Sequence, residues 1–251
     1  MTDASATRLV SRRALLRGLG VSAVAAALAP RRLVAREAQQ PVRLGSGAHT
    51  YEWDPTWPRF PEGVGFGSTH GSVVIDAAGR VYCSTDTANA IMIFEPDGTY
   101  AKSWGKDLAG GVHGVAIVKE SGREFLWLAH VGRHEVLKTT LDGEIVLRVG
   151  YPEKSGIYSK ADDYRPTSVA VAPSGDVYVA DGYGLSYIHH YTAKAEFLAS
   201  WGGKGIEPGK FRTPHGIWVD TRRPTPRLVV ADRENRRIQT FGLDDTPIAV
   251  L

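Results

Sequence analysis

The sequence is nearly devoid of cysteine: Cys83 is the one present in 251 residues. That excludes an internal disulfide framework and any zinc site built from cysteines. Cys83 stands inside the strand-like stretch VYCS, where a buried, inert thiol is expected. Helical periodicity is missing too. No segment after residue 40 keeps a 3.6-residue apolar repeat, which excludes a helical solenoid. Nor does the body of the chain carry excess positive charge, although the formal net charge is +3. Seven of the 30 Lys and Arg residues and one of the 27 Asp and Glu residues fall within positions 1–36, so 37–251 holds 23 basic against 26 acidic residues. A mildly acidic body does not indicate a nucleic-acid partner.

What is present is enough apolar residue for a sizeable core, 43% of the chain, and 28 glycines among short strand-like runs. Together these point to an all-β protein. The basic start has its own meaning. Ser11-Arg12-Arg13-Ala14-Leu15-Leu16-Arg17 precedes the alanine-rich segment 19–29. A charged region followed by an apolar run too short to span a bilayer is an export signal, here of the twin-arginine type. Residues 1–38 are assigned to it, with cleavage expected between about 35 and 40 because Pro30 hinders a cut after Ala29. The mature protein is expected to be periplasmic or extracellular, without a stable membrane span, and monomeric. Residues 39–64 read as a linker and cap.

Four related phrases then recur: STHGSVVID from Ser68, GVHGVAIV from Gly111, PTSVAVAP from Pro166 and FRTPHGIWVD from Phe211. Their anchors are His70, His113, Thr167 and His215, spaced by 43, 54 and 48 residues. Each anchor precedes a strand-like run, a turn signal and three further strand-like runs. The second runs are VYCS, FLWLA, VYVA and LVVA, and the third AIMIF, EVLKT, SYIHHY and RIQTF. Four antiparallel strands per repeat of ~40–50 residues is the pattern of a β-propeller blade. Blades are expected over about 65–105, 111–150, 165–202 and 213–251. Four blades is the lower limit for a closed ring, so the chain reads as part of a six-bladed one.

In a propeller the first strand of each blade lines the axis, and the start of that strand lies at a channel mouth. His70, His113 and His215 would then converge, and imidazoles converging in a polar channel are good zinc ligands. The competing explanation is that homologous blades simply repeat a histidine that bonds a neighbour. The ends of the second strands, Thr85, His130, Asp181 and Asp232, form a second set of equivalents, with Tyr183 and Arg233 beside them. Tyr183 could act as a base and Arg233 as an anion clamp. The alternative for Asp181 and Asp232 is structural, tying down the next turn, with Arg233 pairing at the surface. His130, His134, His189 and His190 read as packed or solvated side chains.

The run RPTSVAVAPSGDVYVADGYG, PGKFRTPHG and ADRENRRIQTF resembles NHL repeats, and more closely the peptidyl-α-hydroxyglycine α-amidating lyases, over roughly 65–251. The resemblance implies a six-bladed propeller that cleaves a peptidyl hydroxyglycine into a peptide amide and glyoxylate, with a histidine-held zinc and a structural calcium. It implies that His113 and His215 are zinc ligands, Tyr183 the active-site tyrosine and Arg233 an active-site arginine. The family's third histidine falls in a later blade, and His70 has no family counterpart. Its other arginine falls near STDTAN at 84–89, which contains none. Two functions follow as expectations: a zinc-dependent carbon–nitrogen lyase, or a non-catalytic propeller binding a small molecule or peptide at its channel mouth. A calcium-dependent sugar lactonase is a weaker third, because acidic ligands are few.

Overall fold

The computed structural model describes residues 42–70 and 72–251. The export segment assigned to 1–38 lies outside them. The chain divides at Asp54 into two units, and the described part of the first is a hairpin of β1 (Val42–Ser46) and β2 (His49–Trp53). The stretch read as linker and cap therefore holds paired strands, with Val42 opposite Trp53.

The second unit, from Pro55, is built of four antiparallel four-stranded sheets. Blade 1 comprises β3 (Val73–Ile75), β4 (Val81–Ser84), β5 (Ile91–Phe94) and β6 (Tyr100–Trp104). Blade 2 comprises β7 (Val112–Glu120), β8 (Arg123–His130), β9 (Glu135–Thr140) and β10 (Ile145–Val149). Blade 3 comprises β11 (Ser168–Val171), β12 (Val177–Ala180), β13 (Tyr187–Tyr191) and β14 (Phe197–Gly202). Blade 4 comprises β15 (Pro214–Asp220), β16 (Arg227–Asp232), β17 (Arg237–Gly242) and β18 (Pro247–Val250). In every blade the strands pair in chain order. This is the all-β propeller architecture expected from the repeats.

Period-two alternation assigns the second strands of blades 1 to 3 to two different cores each. Leu126 and Leu128 of β8 pack with Tyr82, Ile91 and Ile93 of blade 1, while Trp127 and Ala129 pack with Val169, Val177 and Val179 of blade 3. Blade 3 repeats the device. Tyr178 and Ala180 turn the other way, onto Ile217, Val219, Leu228 and Val230 of blade 4. The buried apolar layers thus lie between sheets, and each fully buried large side chain contributes roughly 1.5–3 kcal/mol.

The face of blade 1 turned away from blade 2 is covered by the segment that opens this unit. Trp57, Phe60, Val64 and Phe66 pack on Cys83, Met92 and Phe94. Phe60 meets Phe94 and Phe66 edge-on, at centroid separations of 5.5 and 4.8 Å, a favoured aromatic geometry. Arg59 holds the segment in place, donating to Asp97 at 2.8 Å. Cys83 is buried, and desolvation pushes its thiol up to about 11, so it is inert as expected. Among the described residues no helix is long and apolar enough to cross a membrane.

Candidate functional site

The first strands of neighbouring blades lie against one another, which brings the repeat anchors to one end of the sheets. Two of the anchors share a local device. On β7, Val112 pairs with His130 and Gly114 with Ala129, leaving His113 as the extra residue of a bulge. On β15, Pro214 pairs with Asp232 and Gly216 with Ala231, leaving His215 in the same position. A bulge removes one residue from the strand's alternation and re-aims its side chain. That is why a histidine can stand at a strand's doorway and turn its ring towards the first strand of another blade.

The two bulged histidines meet around a tyrosine. Tyr183 Oη lies 3.2 Å from His113 Nε2 and 3.0 Å from His215 Nε2. The His113 and His215 rings are 4.7 Å apart, edge to face. His70 joins them with its ring 4.5 Å from that of His113 and its Nδ1 3.9 Å from Asp86 Oδ1. All three sequence-predicted histidines are therefore neighbours. Arg233 completes the group, its guanidinium carbon 5.6 Å from the Tyr183 ring centroid, within cation–π range. Arg233 was also open to pairing with Asp232, but Arg237 takes that place, donating from Nε at 2.7 Å.

The fourth anchor explains its own substitution. Thr167 is buried, and its hydroxyl donates within the blade joint to Pro214 O at 3.0 Å. Its carbonyl lies 2.8 Å from His113 Nδ1. A carbonyl can only accept, so Nδ1 carries the hydrogen and the Nε2 lone pair of His113 faces Tyr183, whose hydroxyl donates to it. Burial pushes His113 down to about 4, an effect opposed by the Thr167 carbonyl and reinforced by the charges of His70, His215 and Arg233. His215 is lowered as well, first by burial and then by Arg233 and His70. Both imidazoles are neutral at neutral pH, the state in which they ligate metals.

The second-strand ends serve the loops. Asp181 accepts the backbone N–H groups of Arg165 at 2.7 Å and Leu185 at 2.6 Å. Asp232 accepts that of Arg212 at 2.7 Å. His130 Nδ1 accepts from Arg133 N, and Thr85 donates to Asn89 O. These four buried groups each lock the turn beside the channel mouth, the structural role weighed for Asp181 and Asp232. Gly182 is needed between them and Tyr183, because a Cβ there would lie 2.5 Å from both Pro214 O and Thr167 Oγ1.

Among the described residues no set of three or more His, Cys, Asp and Glu side chains stands ready-spaced for a metal ion. The donor chemistry nonetheless fits one. His113 has the orientation of a metal ligand whose other nitrogen is anchored on a carbonyl, and the Nε2 atoms of His113 and His215 converge on the Tyr183 hydroxyl. Asp181 and Asp232, by contrast, are committed to backbone and side-chain donors.

Sequence reasoning overlooked Arg165, Lys204 and Arg212, which line a pocket with Tyr183 and Arg233. The signal was present in the repeats: Arg165 precedes Thr167 by two positions, and Arg212 precedes His215 by three.

No family model matches the chain. Among curated proteins, human NHL repeat-containing protein 3 is 30% identical over 204 residues, covering 77% of this chain and 57% of that protein. Peptidyl-alpha-hydroxyglycine alpha-amidating lyase 1 of Drosophila melanogaster is 30% identical over 227 residues, covering 77% of this chain and 40% of that protein. This chain is a homologue of the NHL-repeat and amidating-lyase proteins. It spans 57% and 40% of the length of these two NHL-repeat and lyase relatives. A virginiamycin B lyase from Staphylococcus aureus, solved with Quinupristin, superimposes with a TM-score of 0.53 at 14% identity, over 81% of this chain and 59% of that one. That likeness concerns the fold alone, which this NHL-repeat homologue shares.

Proposed function

We propose that this NHL-repeat propeller is an exported, zinc-dependent lyase that cleaves a peptidyl α-hydroxyglycine into a peptide amide and glyoxylate. The observation that carries the reading is the Tyr183 hydroxyl held between the Nε2 atoms of His113 and His215 with Arg233 over its ring. Homology to amidating lyases supports the substrate class, and the Arg12-Arg13 export signal supports an extracytoplasmic setting.

His113 and His215 would hold the zinc with His70 beside them, and the metal, when bound, supplies Lewis-acid polarisation of a substrate oxygen. Tyr183, once its own proton has been released to solvent, takes the proton of the substrate hydroxyl. The O–H electron pair becomes the aldehyde C=O of glyoxylate as the Cα–N bond breaks. The departing amide nitrogen receives a proton, which Tyr183 can return. Arg233 lies over the Tyr183 ring, and its guanidinium holds the substrate carboxylate.

The test is glyoxylate release from α-hydroxyhippurate by zinc-loaded protein, with bound metal quantified in parallel. Tyr183→Phe is expected to lower kcat by about 10²–10⁴-fold while leaving the circular dichroism spectrum unchanged. Zinc-loaded wild-type protein that releases no glyoxylate would overturn the reading. One observation favours a non-catalytic, ligand-binding propeller instead: residues 84–89 carry no arginine, and Thr85 and Thr87 bond each other there. That protein would bind peptide ligands without turning them over.

A further inference from the structure

The joint between blades 3 and 4 holds a pocket of about 400 Å³ that shares Tyr183 and Arg233 with the site above. Four cationic side chains line it, Arg165, Lys204, Arg212 and Arg233, against one carboxylate, Glu234. Glu234 stands at the edge of ion-pairing distance from two of them, 3.9 Å from Arg212 and 3.8 Å from Arg233. Arg165 and Lys204 form no ion pair among the described residues. Asp181 and Asp232 are fully buried and occupied with backbone donors. Asp163, two residues before Arg165, accepts from Ser159 Oγ, and Glu207, three after Lys204, accepts the Ile206 N–H. Exposed like charges repel one another, and nothing in the fold of the blades calls for this cluster.

The loops that carry the charges are fastened in pairs. Tyr183 N donates to Arg165 O at 3.2 Å, and Arg165 N donates to Asp181. Across the joint, Arg233 N donates to Thr213 O, Glu234 N to Arg212 O, and Arg212 N to Asp232. Lys204 sits in a parallel bridge with Phe211, whose ring is fully buried. The backbones beneath the cations are thus fixed, which lowers the entropic cost of binding an anion there. A volume of this size accommodates a small ligand or a peptide residue.

Resting on the lyase reading, one carboxylate of the substrate engages Arg233. Arg165, Lys204 and the half-matched Arg212 are left to face a second anionic group. We propose that this pocket is a subsite for an acidic side chain, and that the enzyme prefers peptides with Asp or Glu immediately before the α-hydroxyglycine. Guanidinium forks at Arg165 and Arg212 suit carboxylate geometry, and Lys204 adds a point charge.

The experiment compares N-acetyl-Glu-α-hydroxyglycine with N-acetyl-Gln-α-hydroxyglycine, two substrates that differ only in charge at the proposed subsite. Wild-type kcat/KM is expected to favour the Glu substrate by about tenfold at low ionic strength, with the ratio shrinking as salt is added. Arg165→Gln combined with Lys204→Gln is expected to collapse the ratio to near one; both residues are exposed, so the fold tolerates the change. Equal turnover of both substrates by wild-type protein overturns the subsite and leaves the lyase standing. If neither substrate releases glyoxylate, the lyase reading has failed, and calorimetry with N-acetyl-Glu-Gly and N-acetyl-Gln-Gly decides the subsite on binding alone. Tighter binding of the Glu peptide that is lost in the double variant supports it; equal or absent binding overturns it.

Discussion

At the scale of single residues, His189 shows how far burial and hydrogen bonding can set a side chain's chemistry. Its Nδ1 is 2.7 Å from Ser200 Oγ and its Nε2 2.7 Å from Tyr158 Oη, which in turn donates to Asp181 at 2.6 Å. Because the Tyr158 proton is spent on Asp181, Nε2 must donate to Tyr158, and Ser200 donates to Nδ1. Both nitrogens are satisfied in the neutral ring, and desolvation lowers His189 from 6.5 to about 3. In the unfolded chain the imidazole takes up its proton near 6.5, whereas the folded one refuses it until about 3. The stability it contributes is therefore complete above pH 6.5 and is lost progressively as pH falls towards 3. Melting temperatures measured between pH 7.5 and 3.5 should show this decline, and His189→Gln should flatten it while lowering stability at neutral pH. An unchanged slope in the variant would assign the acid sensitivity elsewhere. The sequence read His189 and His190 as packed or solvated side chains, since they alternate across a strand. It could not show the Ser200–His189–Tyr158–Asp181 chain, because those four residues come from separate elements.

At the scale of elements, the bulges on β7 and β15 were hidden from the sequence. The repeat alignment located histidine at the strand entrance, but an extra residue is visible only once its partner strand is known. The glycine that follows each histidine has a different weight in the two blades. A Cβ on Gly114 would lie 2.5 Å from Thr167 O and 2.7 Å from Ser168 Cα, so β7 and β11 approach closely across it. A Cβ on Gly216 would meet no described atom nearer than Ala231 Cβ at 3.7 Å. Gly114→Ala is expected to cost about 1–3 kcal/mol by forcing two inner strands apart. Gly216→Ala should stay within about 0.5 kcal/mol. Urea midpoints of the two variants compare them directly, and equal losses would contradict the close-approach argument. Identical dipeptides thus report different packing, which explains why repeat-level reading reached the fold before it reached the site.

At the scale of the whole molecule, the repeats disclosed four blades and their strand order because turn signals recur at each hairpin. The cap over blade 1 was less legible: beyond β2 it forms no further strand, touches blade 1 through a bridge of Arg59 to Thr99, and packs Trp57 and Phe60 on the outer face. Cys83 lies beneath that cap and is 7% exposed. As the sole thiol it serves as a reporter of opening. Labelling with Ellman's reagent at neutral pH should be slow in native protein and complete in about 6 M guanidinium chloride, while Phe60→Ala should speed native labelling. Rapid native labelling would show that the cap opens readily. The bulged histidines carry a further consequence, for how such a protein can change. A residue outside the ladder's alternation can be exchanged without flipping or slipping the strand that follows it. Positions 113 and 215 are in effect interchangeable sockets. A lineage, or a directed-evolution library, could try new chemistries there one blade at a time while the sheets beneath are inherited intact.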